Sequence, residues 1–175
     1  MRLNLLLASV AALAVCSPLL SASAAAQQAL ERGVRTVREE AERVGRDPAA
    51  VRIWSCFAVV GDWLPDDVRL KKTVGRMATY LQGYGDLMVS TNHWDPAVLE
   101  RFRRDPFVAG FRGAIDNTAT TSELEHVATL IPSEWLAAAG LGTPAECADA
   151  VLRQMDLGAD SVIIHGATPA ELAPM

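Results

Sequence analysis

Gly142-Thr143-Pro144-Ala145-Glu146 opens the stretch whose reading decides the fold, and Ser161-Val162-Ile163-Ile164-His165-Gly166 closes it. Thr143 can cap a helix, Pro144 suits the first helical position, and Glu146 can complete a capping box. Cys147, Val151 and Met155 recur at four-residue steps beside Ala148 and Leu152, which gives an apolar stripe on one helix face. Gly158-Ala159-Asp160 turns the chain. Val162 to Ile164 then run without polar interruption as far as His165, the pattern of a parallel strand covered on both faces. Cap, helix, turn and buried strand make one step of an α/β protein.

A second step lies upstream. Leu30, Val34, Val37, Ala41 and Val44 recur at three- and four-residue spacing, which predicts an amphipathic helix from about Ala26 to Val44. Gly45 stops it and Asp47-Pro48 turns the chain. Residues 51–60 follow as a strand, with Trp54, Cys56 and Ala58 on one face and Ile53, Ser55 and Phe57 on the other. Pro65-Asp66-Asp67 opens a further helix reaching about Gln82, broken by Gly83-Tyr84-Gly85. Residues 86–139 read as short helices, one started by Asp95-Pro96, another by Thr120/Ser122 with Glu123/Glu125 and ended by Pro132. Only 51–60 and 161–165 read as strands.

The run GTPAECADAVLRQMDLGADSVIIHG resembles the closing helix and last barrel strand of the luciferase-like monooxygenase superfamily. VRTVREEAERVGRDPAAVRIWSCFAVVGD resembles the helix and strand that precede the seventh barrel position in its deazaflavin-dependent branch. The resemblance runs from about Ala29 to the C-terminus. It implies an α/β fold, the C-terminal portion of a (β/α)8 TIM barrel with a helical insertion, spanning residues 27–175. Such a barrel takes about 250 residues, and this chain has 175, so the barrel is expected to be incomplete. Thr168-Pro169-Ala170-Glu171 repeats the cap of residues 143–146 with four residues after it, as a truncated last helix would. The resemblance further implies an oxidoreductase, transferring hydride or inserting oxygen into a small-molecule substrate in the cytoplasm. Its cofactor would be coenzyme F-420, a deazaflavin, with FMN as the alternative. The chain is not expected to be active alone; its partner would be a missing N-terminal barrel half or another copy in a homo-oligomer.

His165-Gly166 stands at the C-terminal end of its strand, the face on which barrel active sites are built. Gly166, Ala167 and Thr168 before Pro169 offer backbone N–H groups and a hydroxyl suited to a phosphate. The resemblance implies that His165, Gly166 and Thr168 line the cofactor pocket; a structural histidine is the alternative. The family's proton-transfer residues lie mostly in early strands that this chain does not contain, so no catalytic residue is assigned. Arg69, Lys72 and Arg76 align on one helix face and could hold a phosphate or the anionic tail of a deazaflavin, although a solvated face is the commoner outcome. Glu123 and His126 have the Glu-x-x-His spacing of di-iron bundles, but no second copy accompanies them, and no metal site is expected. His93 and Trp94 form a loop cluster that could pack or act as a lid.

The formal net charge of −5 argues against non-specific nucleic-acid binding. Three cysteines without a Cys-x-x-Cys pair argue against a disulfide framework or a zinc knuckle. Residues 1–26 read either as a secretory signal, with a cleavage pattern at Ala22/Ala24, or as a spurious apolar leader. Pro18 interrupts the apolar run, so no stable membrane span is expected. A real signal would place the chain outside the cytoplasm, secreted or periplasmic. The second functional class is then an exported, non-catalytic helical protein that binds a partner.

Overall fold

Both αβ steps form, and their strands lie side by side. In the computed structural model, which describes residues 18–136 and 139–175, β1 (Trp54–Gly61) pairs in parallel with β3 (Ser161–His165). The register runs from Trp54↔Ser161 to Ala58↔His165. The helix before β1, α1 (Pro18–Arg43), starts inside the apolar leader, whose residues 1–17 lie outside the described residues. Among the described residues no helix is long and apolar enough to cross a membrane.

A third strand overturns the barrel expectation. β2 (Ala139–Gly142) pairs in parallel with the opposite edge of β1, from Ala58↔Ala139 to Gly61↔Gly142, which gives the order β2-β1-β3. A TIM barrel sets each new strand beside the one before it; here β3 skips past β1 instead of joining β2. The result is a small α/β domain with an open three-stranded parallel sheet, not a portion of a (β/α)8 barrel. β2 escapes a reading by pattern because Ala-Gly-Leu-Gly is short and half glycine, a residue depleted in strands.

One face of the sheet is covered by α8 (Pro144–Asp156), which crosses from β2 to β3. Ser55 Oγ donates to Gln154 Oε1 at 3.0 Å, and a side chain at Gly140 would meet Phe57 and Ala150, so strand and helix pack closely. The expected α8 stripe is rotated: Cys147 and Ala150 are buried, whereas Leu152 and Met155 are exposed. Asp160 ties three segments together. Its carboxylate accepts from Ile53 N at 2.8 Å, Arg38 at 3.2 Å and Arg52 at 3.1 Å, so α1 is bound to the N-terminal ends of β1 and β3.

The other face is largely open. Trp54 is 60% and Ile163 47% exposed, with Cys56 beside them, so β3 is not covered on both faces as its apolar run suggests. At its C-terminal end Val60 shares a cleft with Leu70, Thr73, Leu136 and Leu141 from the helical excursion and β2.

The largest core sits in the excursion between β1 and β2. It contains α2 (Asp66–Leu70), a π-helical turn (Lys71–Gly75), α3 (Arg76–Asn92), α4 (Pro96–Arg104), α5 (Pro106–Gly110), α6 (Ile115–Thr118) and α7 (Thr121–Ala128). Ala78, Leu81, Leu99, Phe102, Ile115 and Val127 are buried together there. Trp94 stacks on Trp135 with ring centroids 4.3 Å apart. α3 kinks at Tyr84 (φ −131°, ψ 17°) rather than ending at Gly83-Tyr84-Gly85. A Cβ at Gly85, next to that kink, would lie 2.7 Å from Leu99 Cδ1, so the Leu99 side chain would have to shift.

Candidate functional site

The candidate site forms where the turn after α2 meets the C-terminal end of β3. The π-helical turn carries Lys71 and Lys72, with Arg76 directly after it. One such wide turn shifts the residues after it around the helix axis, a feature common at functional sites. Lys72 Nζ donates to the carbonyl of Gly166 and pairs with Glu171 Oε1 at 3.0 Å. Arg76 Nε donates to Asp116 Oδ2 at 2.7 Å, and Thr79 Oγ1 holds Asp116 Oδ1 at 2.8 Å. Arg69, the third cation of the sequence-read face, turns back to Asp66 and leaves the group.

These side chains border a cleft of about 350 Å³ lined by Val68, Lys71, Lys72, Arg76, Asp116 and Gly166. Lys71 makes no ion pair among the described residues. Three cations thus face two carboxylates, Asp116 and Glu171, and the cleft keeps one excess positive charge. This arrangement attracts an anion, but Lys72 and Arg76 are both already engaged.

The three residues expected to line a cofactor pocket have different fates. Gly166 lines the cleft in a left-handed conformation, φ 76°, which suits glycine. His165 is half-buried next to it, on the sheet face shared with Ala58. Burial lowers the His165 pKa and the nearby Arg76 charge lowers it further, which favours the neutral imidazole. The His165 ring makes no hydrogen bond among the described residues, which leaves both nitrogens free for a ligand. Thr168 is not a free donor. Its N–H donates to Glu171 Oε2 at 2.7 Å and its hydroxyl accepts from Glu171 N, a capping box that starts the four-residue α9 (Pro169–Leu172). That N–H and the Lys72 ammonium together hold the Glu171 pKa down at about 2.

Two further residues of the region were not singled out from the sequence. Trp63 Nε1 donates to the Glu171 carbonyl at 2.7 Å, and its ring lies so close over Gly61 that a Cβ there would fall within it. The indole therefore ties the exit of β1 to α9. An aromatic two residues beyond a buried strand is the signal that could have pointed to Trp63. Asp116 gives no such signal, because only the fold carries its short helix to Arg76.

The remaining sequence candidates have local duties. Glu123 closes the capping box of Thr120, and His126 Nε2 lies 2.9 Å from Asp105 Oδ2, so this pair serves two separate contacts. His93 ends α3 in a left-handed conformation, φ 55°, and hands Trp94 to its stack on Trp135.

Strand order gives the location its meaning. β2 lies on one side of β1 and β3 on the other, so the direction of travel across the sheet reverses at β1. In open parallel sheets ligands bind outside the carboxyl ends of the strands at such a reversal. Gly61 and His165 end the two strands that flank it. Fold and site together define an open parallel α/β domain with a basic cleft beside the carboxyl end of β3. No family model matches the chain, and neither a curated protein nor a solved structure matches it.

Proposed function

We propose that this chain serves a flavin- or deazaflavin-dependent oxidation–reduction by holding the phosphate-bearing tail of the cofactor in the cleft between the π-helical turn and the end of β3. The observation that carries the reading is the meeting of Lys72 and Arg76 with Gly166 and His165, segments far apart in sequence that join at one strand end. The donor set suits a phosphate: Lys71 makes no ion pair among the described residues, Lys72 and Arg76 are held by carboxylates, and Gly166 lets the backbone approach. Volume supports the tail, since about 350 Å³ is at the small end of ligand sites. When bound, the flavin or deazaflavin would supply the hydride chemistry. The chain's own residues bind and orient: Lys71 and Lys72 neutralise phosphate oxygens, and the His165 imidazole can form a hydrogen bond beside them.

Isothermal titration with FMN and with the deazaflavin coenzyme tests the reading. Binding should occur with at least one of them and weaken roughly tenfold in Lys72→Ala, the loss of a charge-assisted contact. Equal affinity of wild type and Lys72→Ala, or no binding of either cofactor, refutes it.

The open sheet face favours a second reading, an exported non-catalytic protein that binds a partner through Trp54 and Ile163. Mass spectrometry of the mature N-terminus in the native host separates the two. Cleavage at Ala24 or Ala26 supports export, and an intact Met1 refutes it.

A further inference from the structure

Glu171 already engages Lys72, one of the cations that line the cleft. Its carboxylate meets Lys72 Nζ with both oxygens, at 3.0 Å and 3.1 Å, and one of those oxygens also accepts the Thr168 N–H at 2.7 Å. The Glu171 main chain is fixed as well, because its carbonyl accepts from Trp63 Nε1. The Lys72 ammonium is a donor that a carboxylate or a phosphate oxygen can each satisfy, so the two compete for it. The pair is only partly open to water, with 18% of the Lys72 side chain and 25% of the Glu171 side chain exposed.

We propose that Glu171 is a built-in competitor, an autoinhibitory carboxylate that holds Lys72 until a phosphate group displaces it. The inference rests on the anion-binding reading above and adds a regulatory contact to the same site. Displacement does not require α9 to unfold, because the Thr168 hydroxyl can still receive the Glu171 N–H when the carboxylate swings away. The Thr168 amide then loses its internal acceptor. Binding at Lys72 is thereby coupled to protection of one specific N–H in the segment that closes the β3 end of the crevice.

Glu171→Gln separates charge from capping, since glutamine also serves at the third position of a capping box. FMN is the probe, titrated calorimetrically into wild type, Glu171→Gln, Lys72→Ala and the double variant, with circular dichroism confirming each fold. The expected result is FMN affinity roughly three- to tenfold tighter in Glu171→Gln than in wild type, the scale of one partly exposed ion pair removed from competition. That gain should vanish in the double variant, because it acts through Lys72. Saturating FMN should also speed amide exchange at Thr168 in wild type. Unchanged or weaker affinity in Glu171→Gln, with Lys72→Ala still weakened, overturns the competitor and leaves the anion site standing. If FMN does not bind, the deazaflavin coenzyme replaces it as the probe, and absence of binding of both cofactors in wild type and Glu171→Gln removes the site and the competitor together.

Discussion

Gly75→Ala sets two effects of known size against each other, next to the candidate site. Gly75 ends the π-helical turn and is buried. Alanine there gains helix propensity worth about 1 kcal/mol. Against this, a Cβ would sit 3.1 Å from Asp116 Cα, 3.2 Å from Leu124 Cδ2 and 3.3 Å from Asp116 Cβ. The nearest of these is backbone, so α6 itself must shift, and overpacking of this kind costs about 1–3 kcal/mol. The clash wins, for a net loss of about 1 kcal/mol, or about 2–4 °C in Tm for a domain of this size. Gly33→Ala in α1 is the control, because a Cβ there meets nothing within 4 Å. That variant should gain up to about 1 kcal/mol from the same propensity term. Paired thermal melts followed by circular dichroism read both. A Gly75→Ala protein as stabilised as Gly33→Ala would refute the claim that α6 is rigidly packed on the turn carrying Lys72.

Phe102 is fully buried in the helical core, and Phe102→Ala should cost about 3–5 kcal/mol in urea unfolding; a loss below about 1 kcal/mol would show that this core is loosely packed. Glu171 gives a pH dependence of defined sign. Its folded pKa of about 2 lies below its ordinary 4.5, so its stabilisation is present above about pH 4.5 and is lost as pH falls towards 2. Because the Lys72–Glu171 pair keeps partial contact with water, we expect a difference of about 1 kcal/mol between wild type and Glu171→Gln at pH 6. The two melting curves should converge near pH 2, and parallel pH profiles would contradict the assignment.

The sequence by itself determined the local grammar. Thr143, Pro144 and Glu146 form the capping box that their spacing calls for, and so do Thr168, Pro169 and Glu171, because such contacts depend on residues three apart. Periodicity also placed β1 and β3 and sorted Trp54 from Ser55 by face, since alternation along a strand is a property of the chain. It placed Gly166 at a strand end, where a ligand would approach. Tertiary structure alone decided the rest. β2 exists because β1 offers a free edge to Ala-Gly-Leu-Gly, and its position on the far side from β3 makes the sheet open rather than a piece of a barrel. Neither fact has a local signal, because strand order is set by which edges meet. Thr168 looked like an open donor because its sequence shows a helix start, yet its own Glu171 fills that start and Lys72 locks the carboxylate in place. Asp116 reaches Arg76 only when α6 packs against the helical turn. Short-range hydrogen bonds and side-chain alternation are written along the chain; the pairing of distant charges waits on the packing that brings their elements together.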